Sequence, residues 1–233
     1  MKLILFIISL LCWLHVCNAQ DSDPRPGTRK HDLMAARSQI LGLKNGVLLV
    51  RLPTRKQSID ALRRGGNVEL AERLEAEQRI RNQQLIGTFE EYFDFCAVYF
   101  FFSDQSESVR SGELGNVIFV NEGLEIDTTI NITAEFFLTA EISTLVQDTA
   151  RYYSHTGSRP TGHFRHTDTP RYYGSTAMGF EGLVIKSDQF IQLKRPFPYY
   201  VRTFSSLPFK RGIRKTVSRM NRKLHGYHAR MQQ

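Results

Sequence analysis

Two short runs of large apolar residues, Val47–Leu52 (VLLVRL) and Cys96–Phe102 (CAVYFFF), flank a stretch in which opposite charges recur four residues apart. This arrangement constrains the fold more than any other feature of the chain. Each run has the length and the β-branched or aromatic content of a strand, and Val47–Leu52 is apolar enough to be buried on both faces. Between them, Val68 to about Phe93 reads as one long helix. Glu69 with Arg73, Glu75 with Arg79 and Glu77 with Arg81 are acid-before-base pairs four apart, the orientation that supports a solvated helix face. Leu70, Leu74, Leu85, Phe89, Tyr92 and Phe93 mark the opposite, buried side, thinned at Glu77, Gln78 and Arg81. A helix between two strands permits a crossover, and hence a parallel pair.

Shorter elements complete the expectation. A helix is predicted over Leu33–Leu43, closed by the turn signal Lys44-Asn45-Gly46, and another after a cap at Thr54 or Ser58, running through Arg64. Further strands are predicted at Asn116–Asn121, Phe136–Ser143, Gly182–Ser187, Phe190–Lys194 and Tyr199–Phe204, close together and therefore antiparallel. The predicted fold is α/β or α+β: a single domain with a mixed β-sheet, one long helix (about 68–93) and a basic amphipathic C-terminal helix (about 213–231). An apolar content of 41% excludes a disordered chain, and three cysteines in 233 residues exclude a disulfide-dense scaffold.

The first 19 residues carry an address. Met1-Lys2 precedes LILFIISLLCWLHVCNA, one positive residue and an apolar core ending in small residues at Cys17 and Ala19. That is the pattern of a secretory signal peptide cut after Ala19. The unbroken apolar part, from Leu3 to about Leu14, is shorter than the roughly 20 residues that span a bilayer. The expected organisation is a signal peptide (1–19), a flexible polar leader (20–38) and one α/β-type domain (39–233). The location follows as secreted, periplasmic or envelope-associated. Lipidation at Cys17 is the alternative route; Leu14 suits it, whereas His15 and Val16 do not. Processing leaves Cys96 as the one thiol. No base or cation adjoins it in sequence, so it reads as a buried, inert strand cysteine.

Charge is segregated. From Gln189 to Gln233 there are 11 Lys+Arg and no acid, whereas residues 20–188 hold 19 Lys+Arg against 23 acids. Within the basic end, Ile213, Val217, Met220, Leu224, Tyr227 and Met231 are spaced 4, 3, 4, 3, 4, one side of a helix. Arg214, Lys215, Arg219, Arg222, Lys223 and Arg230 occupy much of the remainder. Such a helix suits an anionic membrane surface or an acidic envelope protein; alternatively its stripe packs on the protein's own sheet and leaves the cations solvated. Nucleic acid is not an expected partner, since no recognition motif accompanies the charge. The segment Lys194–Arg202 (KRPFPYYVR) mixes cations, aromatics and prolines. It reads either as an anion or aromatic-ligand surface or, preferably, as a proline-stiffened turn over core-filling Phe197 and tyrosines.

Catalytic signatures are sparse. No nucleophile elbow, phosphate-cradling loop, dinucleotide fingerprint or C-x-x-C is present, and no cofactor is expected. The Gly-, Pro- and Tyr-rich stretch 148–179 is the place for an alternative, enzymatic reading. Within it His163, His166 and Asp168 have ligand chemistry for a transition metal, with His155 upstream, although Arg165 intervenes.

The phrases NGVLLVRL, SIDALRRGG, FDFCAVYFFFSD and MGFEGLVIKSDQFIQLKRPFPYYVRTF resemble a family of uncharacterised exported bacterial proteins. The resemblance runs from about Lys44 to Leu224. It implies a bacterial envelope protein and carries no activity, cofactor or site residue.

Overall fold

Thr28 sets the start of the first helix. Its hydroxyl accepts the His31 amide at 3.3 Å and caps α1 (Arg29–Asn45). The computed structural model describes residues 28–145, 180–204 and 211–232; the expected signal peptide (1–19) and the 148–179 stretch lie outside them. Helix α1 begins inside the expected leader (20–38), so that boundary moves back to Arg29. The cause is the Thr28 cap together with Ala36, Ile40 and Leu43, which are buried on one face.

At Gly46 the chain turns directly into β1 (Val47–Leu52). A Cβ there would lie 2.2 Å from the Phe136 carbonyl oxygen, so only glycine fits beside the strand that begins after Phe136. The crossover consists of α2 (Lys56–Arg64) and α3 (Val68–Tyr92), and leads to β2 (Ala97–Phe102). Neither Thr54 nor Ser58 caps α2. Arg55 takes that position in a left-handed conformation (φ 52°), and the Thr54 hydroxyl donates instead to Asp104 at 2.8 Å. A short helix α4 (Ser106–Arg110) and a two-residue strand β3 (Phe119–Val120) follow. The strand expected over Asn116–Asn121 is shorter because Leu114–Asn116 closes a 3₁₀ turn. Then come β4 (Phe137–Thr144), β5 (Glu181–Lys186), β6 (Tyr200–Arg202) and α5 (Ile213–Met231).

The six strands form one mixed sheet in the order β3-β2-β1-β4-β5-β6. β1 lies parallel to both β2 and β4, while β3, β5 and β6 join antiparallel. The fold is a single α+β domain. Phe190–Lys194 is not a strand; it contributes one bridge, Lys186 to Gln192, because Phe190 turns back at φ 57°.

Alternation along β1 distributes its residues between two cores. Leu48, Val50 and Leu52 face the larger one, where α1, α3 and α5 pack through Ile40, Leu85, Ile86, Phe89, Met220 and Leu224. Val47 and Leu49 face a smaller core closed by Val109, Leu114, Val117 and Ile132. The stripe of α3 differs from the expected one. Ala71, Gln78, Asn82, Leu85, Ile86 and Phe89 are buried, whereas Leu70 is exposed and Leu74 half-buried. Two polar residues lie inward because the Gln78 amide donates to Asn82, which donates to the Pro53 carbonyl.

Candidate functional site: a basic edge of the sheet

Helix α5 is built into the core. Val217, Met220, Leu224 and Tyr227 are buried, with Ile213 and Met231 packed at either end. The apolar stripe therefore packs on the protein's own sheet, and the cations are what the helix offers to solvent. They do not form one patch. At 100° per residue Arg214 falls on the flank toward α3, where its guanidinium lies 5.6 Å from the Tyr92 ring centre. The same flank is clamped: Asn221 accepts the Phe95 amide at 3.1 Å, and both Asn221 and His225 contact the Asp94 carboxylate, at 2.7 and 2.8 Å. Hydrogen bonds from Asn221 and then His225 hold that carboxylate below its ordinary range.

Lys215, Arg219 and Arg222 are exposed, and Lys223 is half-buried on the opposite flank, toward β6. β6 is an edge strand whose inward groups pair with β5 and whose outward carbonyls need other donors. Two cations supply them: the Lys223 ammonium donates to the Tyr200 carbonyl at 3.1 Å and the Arg211 guanidinium to the Arg202 carbonyl at 3.2 Å. Lys223 also lies 5.5 Å from the Tyr200 ring centre. Arg211 is itself fixed by a backbone bridge to Phe204. Arg202 stacks 3.9 Å from the Phe180 ring centre, with its Nε buried and unbonded among the described residues.

The loop before β6 completes the edge. Phe197 is buried in the larger core, as the proline-stiffened turn requires, and the Arg195–Pro196 peptide is cis. Tyr199 and Tyr200 are half-buried; Tyr199 packs against the larger core, whereas Tyr200 lines the surface, their ring centres 4.8 Å apart and tilted at 52°. The exposed Arg195 donates to the Tyr200 hydroxyl at 3.4 Å. Between this loop and Lys223 lies an open hollow of about 290 Å³, walled by Pro196, Pro198, Tyr199 and Tyr200.

The electrostatics of this edge are one-sided. Among the described residues, no ion pair with a carboxylate involves Arg195, Arg202, Arg211, Arg219 or Lys223. Burial and then the charges of Arg219, Arg211 and Arg195 push the Lys223 ammonium below the ordinary lysine range. The Tyr200 hydroxyl is lowered too, chiefly by the Arg195 hydrogen bond, with Arg202 and Lys223 adding their charge. A phenol lowered by its cationic neighbours, beside an ammonium lowered by burial and then by the same cations, marks a place where negative charge is stabilised.

Other chemistry is less promising. His163, His166, Asp168 and His155 lie outside the described residues, and among the described residues no group of three His, Cys, Asp or Glu side chains could hold a metal. Cys96 immediately precedes β2, half-buried, with its thiol pushed up to about 12 by burial, which outweighs the charge of Lys44. That lysine, unseen in the local sequence, donates to the Phe95 carbonyl at 2.7 Å. Across the sheet Glu141 accepts from Arg51 at 2.7 Å and from Lys186, and Arg51 is further held by Ser106. Its carboxylate is fully engaged in holding three strands together.

Sequence reasoning missed Arg211, and it placed Arg202 only within the Lys194–Arg202 segment, without its position on the edge strand. The signal that could have found that position is the alternation Tyr200-Val201-Arg202, which places Tyr200 and Arg202 on one side of β6 and Val201 in the core. Among the described residues, no helix is long and apolar enough to cross a membrane. No protein-family model, curated protein or solved structure matches this chain.

Proposed function

We propose that the protein is an exported, envelope-associated binding protein, without catalytic action on its partner, and that it rests against an anionic surface through the solvent side of α5 and the β6 edge. One observation carries this reading: Arg195, Arg202, Arg211, Arg219 and Lys223 gather at one edge of the sheet without a neutralising carboxylate among the described residues. Export is supported by the residue pattern of positions 1–19. With Met220, Leu224 and Tyr227 committed to the core, α5 has no apolar face to insert, so the contact is electrostatic and salt-sensitive. Lys215, Arg219 and Arg222, exposed and without an ion pair among the described residues, suit a diffuse lipid surface better than a shaped protein groove.

The test is co-sedimentation of the mature chain with vesicles of phosphatidylcholine alone or mixed with phosphatidylglycerol. The expected result is retention by the anionic vesicles only, lost in high salt. Each cation near such a surface contributes about 1 kcal/mol, roughly fivefold in affinity. Lys215→Glu with Arg222→Glu should therefore weaken retention by more than tenfold. Equal recovery with both vesicle types, or none with either, would overturn the reading.

A further inference from the structure

We propose that the hollow between the Arg195–Tyr200 loop and Lys223 is a binding site for a phosphate monoester, soluble or displayed as a lipid headgroup. This rests on the basic-face reading and names the ligand chemistry of that face. Size, donor set and charge converge on it.

The hollow of about 290 Å³ is at the small end of ligand sites, with room for one phosphate and a ring- or glycerol-sized substituent. Its donors come from three side chains that line it or stand at its rim. Arg195 presents an exposed guanidinium fork, Lys223 an ammonium and Tyr200 a hydroxyl. A phosphate monoester offers three terminal oxygens, one for each, and close to two negative charges at neutral pH. A carboxylate brings two oxygens and one charge, and would leave a cluster of five cations strongly positive. Pro196, Pro198 and Tyr199 supply apolar walls for the substituent.

Capping the edge strand does not use these cations up. The ammonium of Lys223 has three hydrogens, of which the Tyr200 carbonyl takes one. The carbonyl fixes where the ammonium sits, so less ordering remains to be done when an anion arrives. Arg211 and Arg219 stand behind it as a field without direct contact, and their repulsion of Lys223 is relieved by a bound dianion.

The experiment titrates the mature chain by calorimetry with phenyl phosphate, glycerol phosphate and phenylacetate, and repeats co-sedimentation with phosphatidic acid, a monoester headgroup, against phosphatidylglycerol, a diester. We expect saturable binding of the phosphate esters, at least tenfold weaker binding of phenylacetate, and preference for phosphatidic acid. Arg195→Gln, at an exposed position whose change leaves the core untouched, and Tyr200→Phe should each weaken phenyl phosphate about tenfold or more; Arg79→Gln, on the solvated side of α3, should not. Binding of phenyl phosphate with no preference between the vesicles assigns the site to a soluble ester; preference for phosphatidic acid assigns it to a headgroup. Absence of saturable ester binding, binding indifferent to Arg195→Gln, or phenylacetate binding as tightly would overturn the proposal. If both anionic vesicles still bind through Lys215 and Arg222 in that case, the basic face survives and the hollow does not; if neither binds, both fail.

Discussion

Glu141 concentrates more consequence than any other single side chain. It sits on β4, with 11% of its side chain exposed, between Arg51 of β1 and Lys186 of β5. Burial alone would raise its carboxyl, but the hydrogen bonds and charges of Lys186 and Arg51 outweigh burial and hold it below the ordinary glutamate range. Because its folded value lies below the unfolded one, of about 4.3, its contribution to stability is present above that value. It is lost as pH falls through the folded value. Glu141→Gln leaves two cations facing each other across the sheet and should cost about 3 kcal/mol at pH 7. Denaturant melts of the two proteins should differ by that amount at neutral pH, and the gap should narrow only as pH falls below the unfolded value of about 4.3 and through the lower folded one. A gap that widens as pH falls below about 4.3 would show that the ion pairs are not what Glu141 contributes. None of this was legible in the sequence. Nothing in the TAEIS run tells an inward glutamate from a solvated one, since its partners lie 90 and 45 residues away.

At the scale of elements, α5 is the piece whose role the structure settles. Its spacing of 4, 3, 4, 3, 4 predicted a one-sided helix, and burial of Val217, Met220, Leu224 and Tyr227 follows that spacing. Leu224→Ala, at a position without solvent exposure, should cost about 2–5 kcal/mol. Removing residues 213–233 should abolish the cooperative melt altogether, so truncation cannot serve as a binding assay; cooperative unfolding of the truncated chain would contradict the packing described here. Helix α3 was less legible. Its length was predicted to within one residue, but Leu70 and Leu74 were expected inside and Gln78 and Asn82 were not. The acid-before-base spacing of Glu75 with Arg79 is real, yet Glu75 pairs with Arg63 of α2 at 2.6 Å. Periodicity reports which residues share a face. It does not report that a carbonyl at Pro53 waits to satisfy a buried amide, or that a neighbouring helix supplies a nearer cation.

Over the whole molecule, the charge asymmetry acquires a place. The basic end beyond Asp188 contributes the last edge strand, the loop before it and the helix behind it, so the cations distant in sequence converge on one margin of the sheet. The excess of positive charge was legible by counting. Its convergence was not, because it depends on β6 pairing with β5 at Gly182–Arg202, where a Cβ on Gly182 would lie 2.6 Å from the Val201 carbonyl oxygen. The five candidate cations on α5 also divide by flank: Arg214 belongs to the Tyr92 side, whereas Lys223 belongs to the β6 edge. The measurement that bears most directly on this account is amide chemical-shift mapping of residues 20–233 against nanodiscs containing phosphatidic acid. Perturbations should gather at 195–202, Arg211, Lys215, Arg219, Arg222 and Lys223, leaving the solvated side of α3 and Arg214 beside Tyr92 unmoved. Shifts centred on α3, or none at saturating nanodisc, would contradict it.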